Sequence, residues 1–231
     1  MIQENDNAIT RLYEEFLKKH IFDECNKVFV RGTIIENFEF SHNRYNQNFY
    51  KTKIKLIRIS RREDVVPIII SESLIEQEAV IEEVKGRLVK LAGQLRTRMD
   101  NGHKLIYLYV KAIHIYDNNE DEFKEMESLN SIYLNGYICQ QPYFKRTRER
   151  NIPITKFMLA VNGTHGDPEY IPCMAWGKDA ILLSNSDIGT RISVYGRIQS
   201  RIFYQKKFYS IRTRPIEVYE VSGDRVKIEK Y

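Results

Sequence analysis

The sequence predicts an all-β fold with minor helix, arranged as two tandem five-stranded barrels behind an N-terminal amphipathic helix. Three observations carry this expectation. Apolar and polar residues alternate over short runs, the runs recur about 104 residues apart, and two basic blocks flank a short acidic segment. At 231 residues the chain has room for two small domains. Hydrophobic residues make up 42% and aromatics 12%, which suits packed cores and rules out wholesale disorder.

Taken in order, residues 1–21 place Ile9, Leu12, Phe16 and Leu17 at helical spacing behind Asn7 as N-cap, the pattern of an amphipathic helix. Residues 22–116 carry 16 basic and 12 acidic groups and form the first barrel. Residues 117–128 carry one and six, too charged for a core, and read as a solvated linker. Residues 129–222 carry 13 and seven and form the second barrel, and residues 223–231 read as a short basic tail. The repeat is explicit. Asn26–Gly32 answers Asn130–Gly136 at an offset of 104, Val66-Pro67 answers Ile171-Pro172 at 105, and Leu88–Gly93 answers Arg191–Gly196 at 103. Runs rich in Val, Ile, Tyr and Phe with period two are strands, and helical stretches near Ser73–Glu83 and Lys178–Asn185 would follow the third strand of each repeat. Five strands with a helix after the third describe an OB-fold.

Several function classes drop out early. No run approaches the ~18–20 apolar residues of a membrane span. The N-terminus carries Glu4 and Asp6 with no basic-then-apolar run, so no secretory signal is read there. Cys25, Cys139 and Cys173 are odd in number and form no CxxC pair, which argues against a disulfide framework or zinc ribbon and for a reducing cytosol. The five histidines show no metal-ligand spacing, and no phosphate loop or nucleophile elbow is present. Neither cofactor, metal nor catalysis is expected.

The strongest chemical signal is residues 197–214. They contain Arg197, Arg201, Lys206, Lys207, Arg212 and Arg214, the aromatics Phe203, Tyr204, Phe208 and Tyr209, and no acid. A hairpin of this composition offers flat rings to bases and cations to the phosphates between them. A second cluster, Tyr143–Arg150, places Arg146 and Arg148 in the expected loop between the first two strands of the second barrel. OB-folds bind oligonucleotides across a face flanked by the first-second and fourth-fifth strand loops, where both clusters fall. Tyr170 and Trp176 are six apart, hence on one face of a strand, with Ile171 and Cys173 on the other. Lys156 and Lys178, on or next to the neighbouring elements, complete the candidate surface.

These residues resemble the bacterial single-stranded DNA-binding protein family in a tandem OB-fold form. The resemblance rests on Asn130–Gly136, Pro142, Phe157–Asn162 and Tyr170–Gly177 in the second repeat, and on Gly93–Arg98 in the first. It implies sequence-nonspecific binding of single-stranded DNA in replication, recombination or repair, in the bacterial cytoplasm with the nucleoid. It also implies base stacking at three places, held here by Tyr170, Trp176 and Phe203. The first repeat has Val65, Ser71 and Asp100 there, which offer no ring, so that barrel is expected to serve assembly. Family members present four barrels, so two per chain imply a homodimer. The chain ends basic where the family often has an acidic tip, so recruitment of partner enzymes by that route is not expected. The competing expectation is a primosome-type or phage accessory OB-fold protein acting through protein–protein contacts.

Overall fold

A computed structural model describes residues 25–77, 84–100, 103–116, 129–163, 167–205 and 214–229. The expected N-terminal helix and acidic linker lie outside the described residues. The first repeat contributes β1 (Asn26–Ile34), β2 (Glu39–Arg44), β3 (Gln47–Ile57), β4 (Glu63–Ser71), α1 (Glu72–Gln77), β5 (Leu88–Asp100) and β6 (His103–Ile115). The second contributes β7 (Asn130–Ile138), β8 (Tyr143–Arg146), β9 (Pro153–Asn162), β10 (Pro168–Trp176), α2 (Gly177–Ser184), β11 (Arg191–Gln205) and β12 (Arg214–Ile228). The alternation read from sequence sets the burial. In β1, Val28 and Val30 are buried while Phe29 and Arg31 are partly exposed, and in β10 Ile171 and Cys173 are buried while Tyr170 and Trp176 are exposed.

The strands form one sheet in the order β2-β3-β4-β6-β5-β1-β7-β11-β12-β10-β9-β8, which reads the same from either end once each strand is matched to its repeat. Pairings β1–β3 and β7–β9 close each half into a five-stranded OB-fold barrel, with β2 and β8 as added edge strands. Closure demands a close approach at Gly32 and Gly136. A Cβ there would stand 2.2 Å from the carbonyl oxygen of Lys55 or Ala160, so no side chain is admitted. Two expectations change. Tyr143–Arg146 is a short strand paired with β9 before the loop begins, and β12 continues through Arg225 and Val226 to Ile228, paired with Ile192–Tyr195. Residues 223–228 are therefore sheet, not tail, because alternating Val226 and Ile228 extend the ladder.

The barrels join through β1 and β7, antiparallel, with Val28 opposite Ile132. Those two residues are repeat equivalents, so a local two-fold axis passes between them. The axis relates the surrounding bonds. Asn26 donates its side-chain amide to Leu95 O at 2.8 Å and accepts from Leu95 N at 2.9 Å, and Asn130 does the same with Ile198 at 2.8 and 3.0 Å. Across the junction, Thr97 N and Oγ1 donate to Glu169 Oε2, and reciprocally Ser200 N donates to Asp64 Oδ1 at 2.7 Å. Losing two partly buried backbone partners at once, Asn130→Ala is expected to destabilise the fold by about 1–2 kcal/mol, measured by urea denaturation. An unchanged midpoint would contradict it.

Candidate nucleic-acid interface

The open face of the second barrel runs across β8, β9, β10, β12 and β11. Tyr170 and Trp176 stand at its two ends on β10, 40% and 38% exposed, with Pro172 and Met174 between them on the same side. Cross-strand pairing places Lys156 opposite Met174 and Tyr143, 63% exposed, opposite Lys156. The indole Nε1 of Trp176 donates to Ser222 Oγ at 3.1 Å, which anchors one edge of the ring while the ring stays open to solvent. Tyr143 lay within the basic cluster noted from sequence without being singled out. Its pairing register puts it on this face.

Lys156 is partly buried, and its pKa is held below the ordinary lysine range by that burial and then by Arg201, with Glu220 opposing and Lys145 adding. The two cations therefore crowd one patch, where the polyanion's charge would relieve their repulsion. Arg201 is exposed, and its Nε lies 3.0 Å from Glu220 Oε1. Glu220 is 5% exposed and also accepts from Gln199 at 3.1 Å, so it holds Arg201 and Gln199 on the face. Arg197 pairs with Asp224 at 2.7 Å. The expectation that no acid balances the 197–214 cations is thus corrected for two of them. Their carboxylates come from β12, across the hairpin and outside that window.

Arg146, Arg148 and Lys178 are exposed on the rim. Arg146 donates to Asn151 O at 3.0 Å and lies 5.9 Å from the Phe144 ring centroid, fixed by a turn in which Asn151 adopts φ 55. Phe203 and Tyr204 belong to β11. Lys206, Lys207, Phe208 and Arg212 lie outside the described residues.

The equivalent face of the first barrel differs. Lys53 and Lys51 pair with Glu36 and Glu39 at 2.9 and 3.2 Å. Together with Arg98 and Tyr107 they line a cavity of about 470 Å³ that Glu217 and Tyr219 of β12 wall from the other barrel. Val65 is half-buried with its N–H on Ser200 Oγ, and Ser71 is buried. Two aromatics there escaped the sequence reading, Tyr107 and Tyr109 on β6. Arg96 covers Tyr109 at 3.8 Å from the ring centroid, and Arg98 stands 5.8 Å from that of Tyr107. Among the described residues no group of three or more metal-ligating side chains occurs, and no helix is long and apolar enough to cross a membrane.

Two closed barrels joined through their first strands, one with an open aromatic and cationic face, define a tandem OB-fold protein. Residues 129–224, its second barrel, match the model of the Single-strand binding protein family. The wild-type single-stranded DNA binding protein from Thermus aquaticus has the same fold, with a TM-score of 0.67 and 17% identity over 89% of this chain and 93% of its own. A deletion mutant of that protein gives 0.65 and 18%, over 89% and 95%. The N-terminal domain of PriB from Thermoanaerobacter tencongensis is 31% identical over 40% of this chain and 98% of its own, with a TM-score of 0.36. No curated protein matches the chain.

Proposed function

We propose that the chain binds single-stranded DNA without sequence preference and protects it during replication, recombination or repair. One observation supports this above the rest: Tyr170 and Trp176 are exposed on the same face, with Lys156 and Arg201 set between and beside them. Rings spaced along a strand take bases of any kind, and the cations take the phosphates. In this proposal Phe203, Tyr204 and Phe208 also stack on bases, and Arg146, Arg148, Lys178, Arg197, Lys206, Lys207 and Arg212 also neutralise phosphates. Oligo-dT titrated onto the whole chain should quench Trp176, the single tryptophan. Absent quenching, or equal affinity for duplex, would overturn the reading and favour a protein-binding accessory role.

Arg201→Ala should lower the salt dependence of binding by about 0.7 in the slope of log K against log salt, the value for one single-strand phosphate. A flat wild-type response, or an unaltered slope in the variant, would remove Arg201 from the phosphate path.

The first barrel, residues 22–116, serves assembly in this proposal. Its counterpart face has paired lysines and covered rings, while its β1 completes the joint sheet. The outer side of that sheet carries Tyr133 and Tyr195, 4.9 Å between centroids, with Lys27 and Lys227 each 5.9 Å from one of the rings. A second copy stacked there would give a homodimer of four OB-folds. Sedimentation as a monomer at micromolar concentration would overturn the dimer.

A further inference from the structure

At the junction of the barrels lies a cavity of about 520 Å³ whose lining includes Arg58, Ser60 and Arg62 from the β3–β4 turn and Asn130, Arg197 and Asp224 from the second barrel. The charges there are unevenly spent. Arg58 is committed to the buried carboxylate of Asp64 through Nε and Nη2 at 2.5 and 2.6 Å. Arg197 gives Nη1 to Asp224, yet its Nε is buried and donates to nothing among the described residues. Arg62 is exposed and pairs with no carboxylate among the described residues. Asn130 is occupied by Ile198. One unmatched guanidinium, one buried N–H without an acceptor and the Ser60 hydroxyl therefore border the same space.

That donor set suits the tetrahedral oxygens of a phosphate, which accept from planar guanidinium forks and satisfy an orphaned N–H. The cavity also adjoins the stacking face. Arg197 is the cross-strand partner of Ser222, the residue that accepts from the Trp176 indole. Symmetry points the same way. At the repeat offset of 105, the counterpart of Arg58-Ile59-Ser60-Arg61-Arg62 is Gly163-Thr164-His165-Gly166-Asp167, which has no arginine. The arginines were placed on only one of two equivalent turns, and that turn borders the second barrel's β11 and β12.

We infer that the Arg58–Arg62 turn of the first barrel, together with Arg197, forms a composite site for one phosphodiester of the strand that stacks on Trp176. The first barrel thus contributes to the site of its neighbour, not through its own face. This rests on the single-strand binding reading above. Arg62 is the residue to test, since Arg58 holds Asp64.

The experiment compares the whole chain with Arg62→Glu and Arg44→Glu, titrating oligo-dT by Trp176 quenching across a salt series. Arg44 lies on the β2–β3 hairpin, stacked on Tyr45 and away from the cavity, and makes the same charge change. R62E should bind ~5- to 10-fold more weakly at low salt with a slope reduced by about 0.7, and R44E should match the wild type. The Arg62 side chain has no hydrogen-bond or ion-pair partner among the described residues, and the Arg44–Tyr45 stack is exposed, so both variants should melt close to the parent. Equal slopes in wild type and R62E, or equal losses in R62E and R44E, would overturn the site while leaving strand binding intact. A wild type that never binds oligo-dT would overturn the broader reading. In that case stabilisation of wild type but not R62E by inorganic phosphate, read by thermal shift, would still identify the anion site, and no stabilisation would remove it.

Discussion

Replacing Tyr170 and Trp176 together by alanine is expected to weaken single-stranded DNA binding by about 2–6 kcal/mol while leaving its salt slope unaltered. Each ring that stacks on a base is worth about 1–3 kcal/mol, and the range assumes that the two add. Additivity is reasonable because the two stand at opposite ends of β10 with no ring contact between them among the described residues. Neither ring is in a core, so the fold should survive. Both are more than a third exposed, and the Trp176 hydrogen bond to Ser222 is the one described side-chain contact its removal breaks. The slope should stay constant because no phosphate contact is removed, which separates this variant from Arg201→Ala. Since the variant has no indole, fluorescence anisotropy of labelled oligo-dT is the measurement. Full affinity in the double variant would mean that bases stack elsewhere.

Asp64→Ala should cost the folded state about 3–5 kcal/mol, the usual price of stripping one partner from a buried ion pair. Asp64 is fully buried, accepts two bonds from Arg58 and one from Ser200 N, and so carries a salt bridge and a barrel-to-barrel bond on one carboxylate. The Arg58 side chain is 19% exposed, enough for water to soften the loss but not to replace a bidentate partner. The carboxylate in turn holds the Arg58 pKa above its ordinary value, chiefly through the hydrogen bond. Guanidinium denaturation at neutral pH would measure the effect, with Asp64→Asn retaining the acceptor to Ser200 and losing less. A change under 1 kcal/mol would mean that the pair contributes little beyond its own desolvation.

Much of this architecture was legible from the residues. The repeat offsets of 103–105 anticipated a sheet order that reads the same from both ends, and alternation in β10 put Tyr170 and Trp176 on one face with Ile171 and Cys173 beneath. What escaped the sequence depended on register. Arg201 meets Glu220 and Arg197 meets Asp224 only because β11 folds back on β12, 19 and 27 residues later, and a window of local composition cannot hold both partners. The same holds for Tyr107 and Tyr109. Their strand reads as ordinary alternation, and only the pairing of β5 with β6 sets Arg96 and Arg98 beside them. Arg62 was invisible for a further reason. The far wall of the cavity it borders comes from the other repeat, and nothing in a single barrel says which surface its turn will face.

The strand pairing of Val28 with Ile132 has a consequence for how such a chain can change. Between separate identical subunits, every substitution is made twice, once on each side of the axis, so an arginine turn that helps one barrel must also be borne by the other. Here a single polypeptide supplies both sides of the axis, and a substitution in one repeat leaves its partner untouched. The pairing also survives dilution, because the halves meet within one molecule. Freed from mirror-image inheritance, one barrel could give up its rings and the other keep them without loss of the sheet they share.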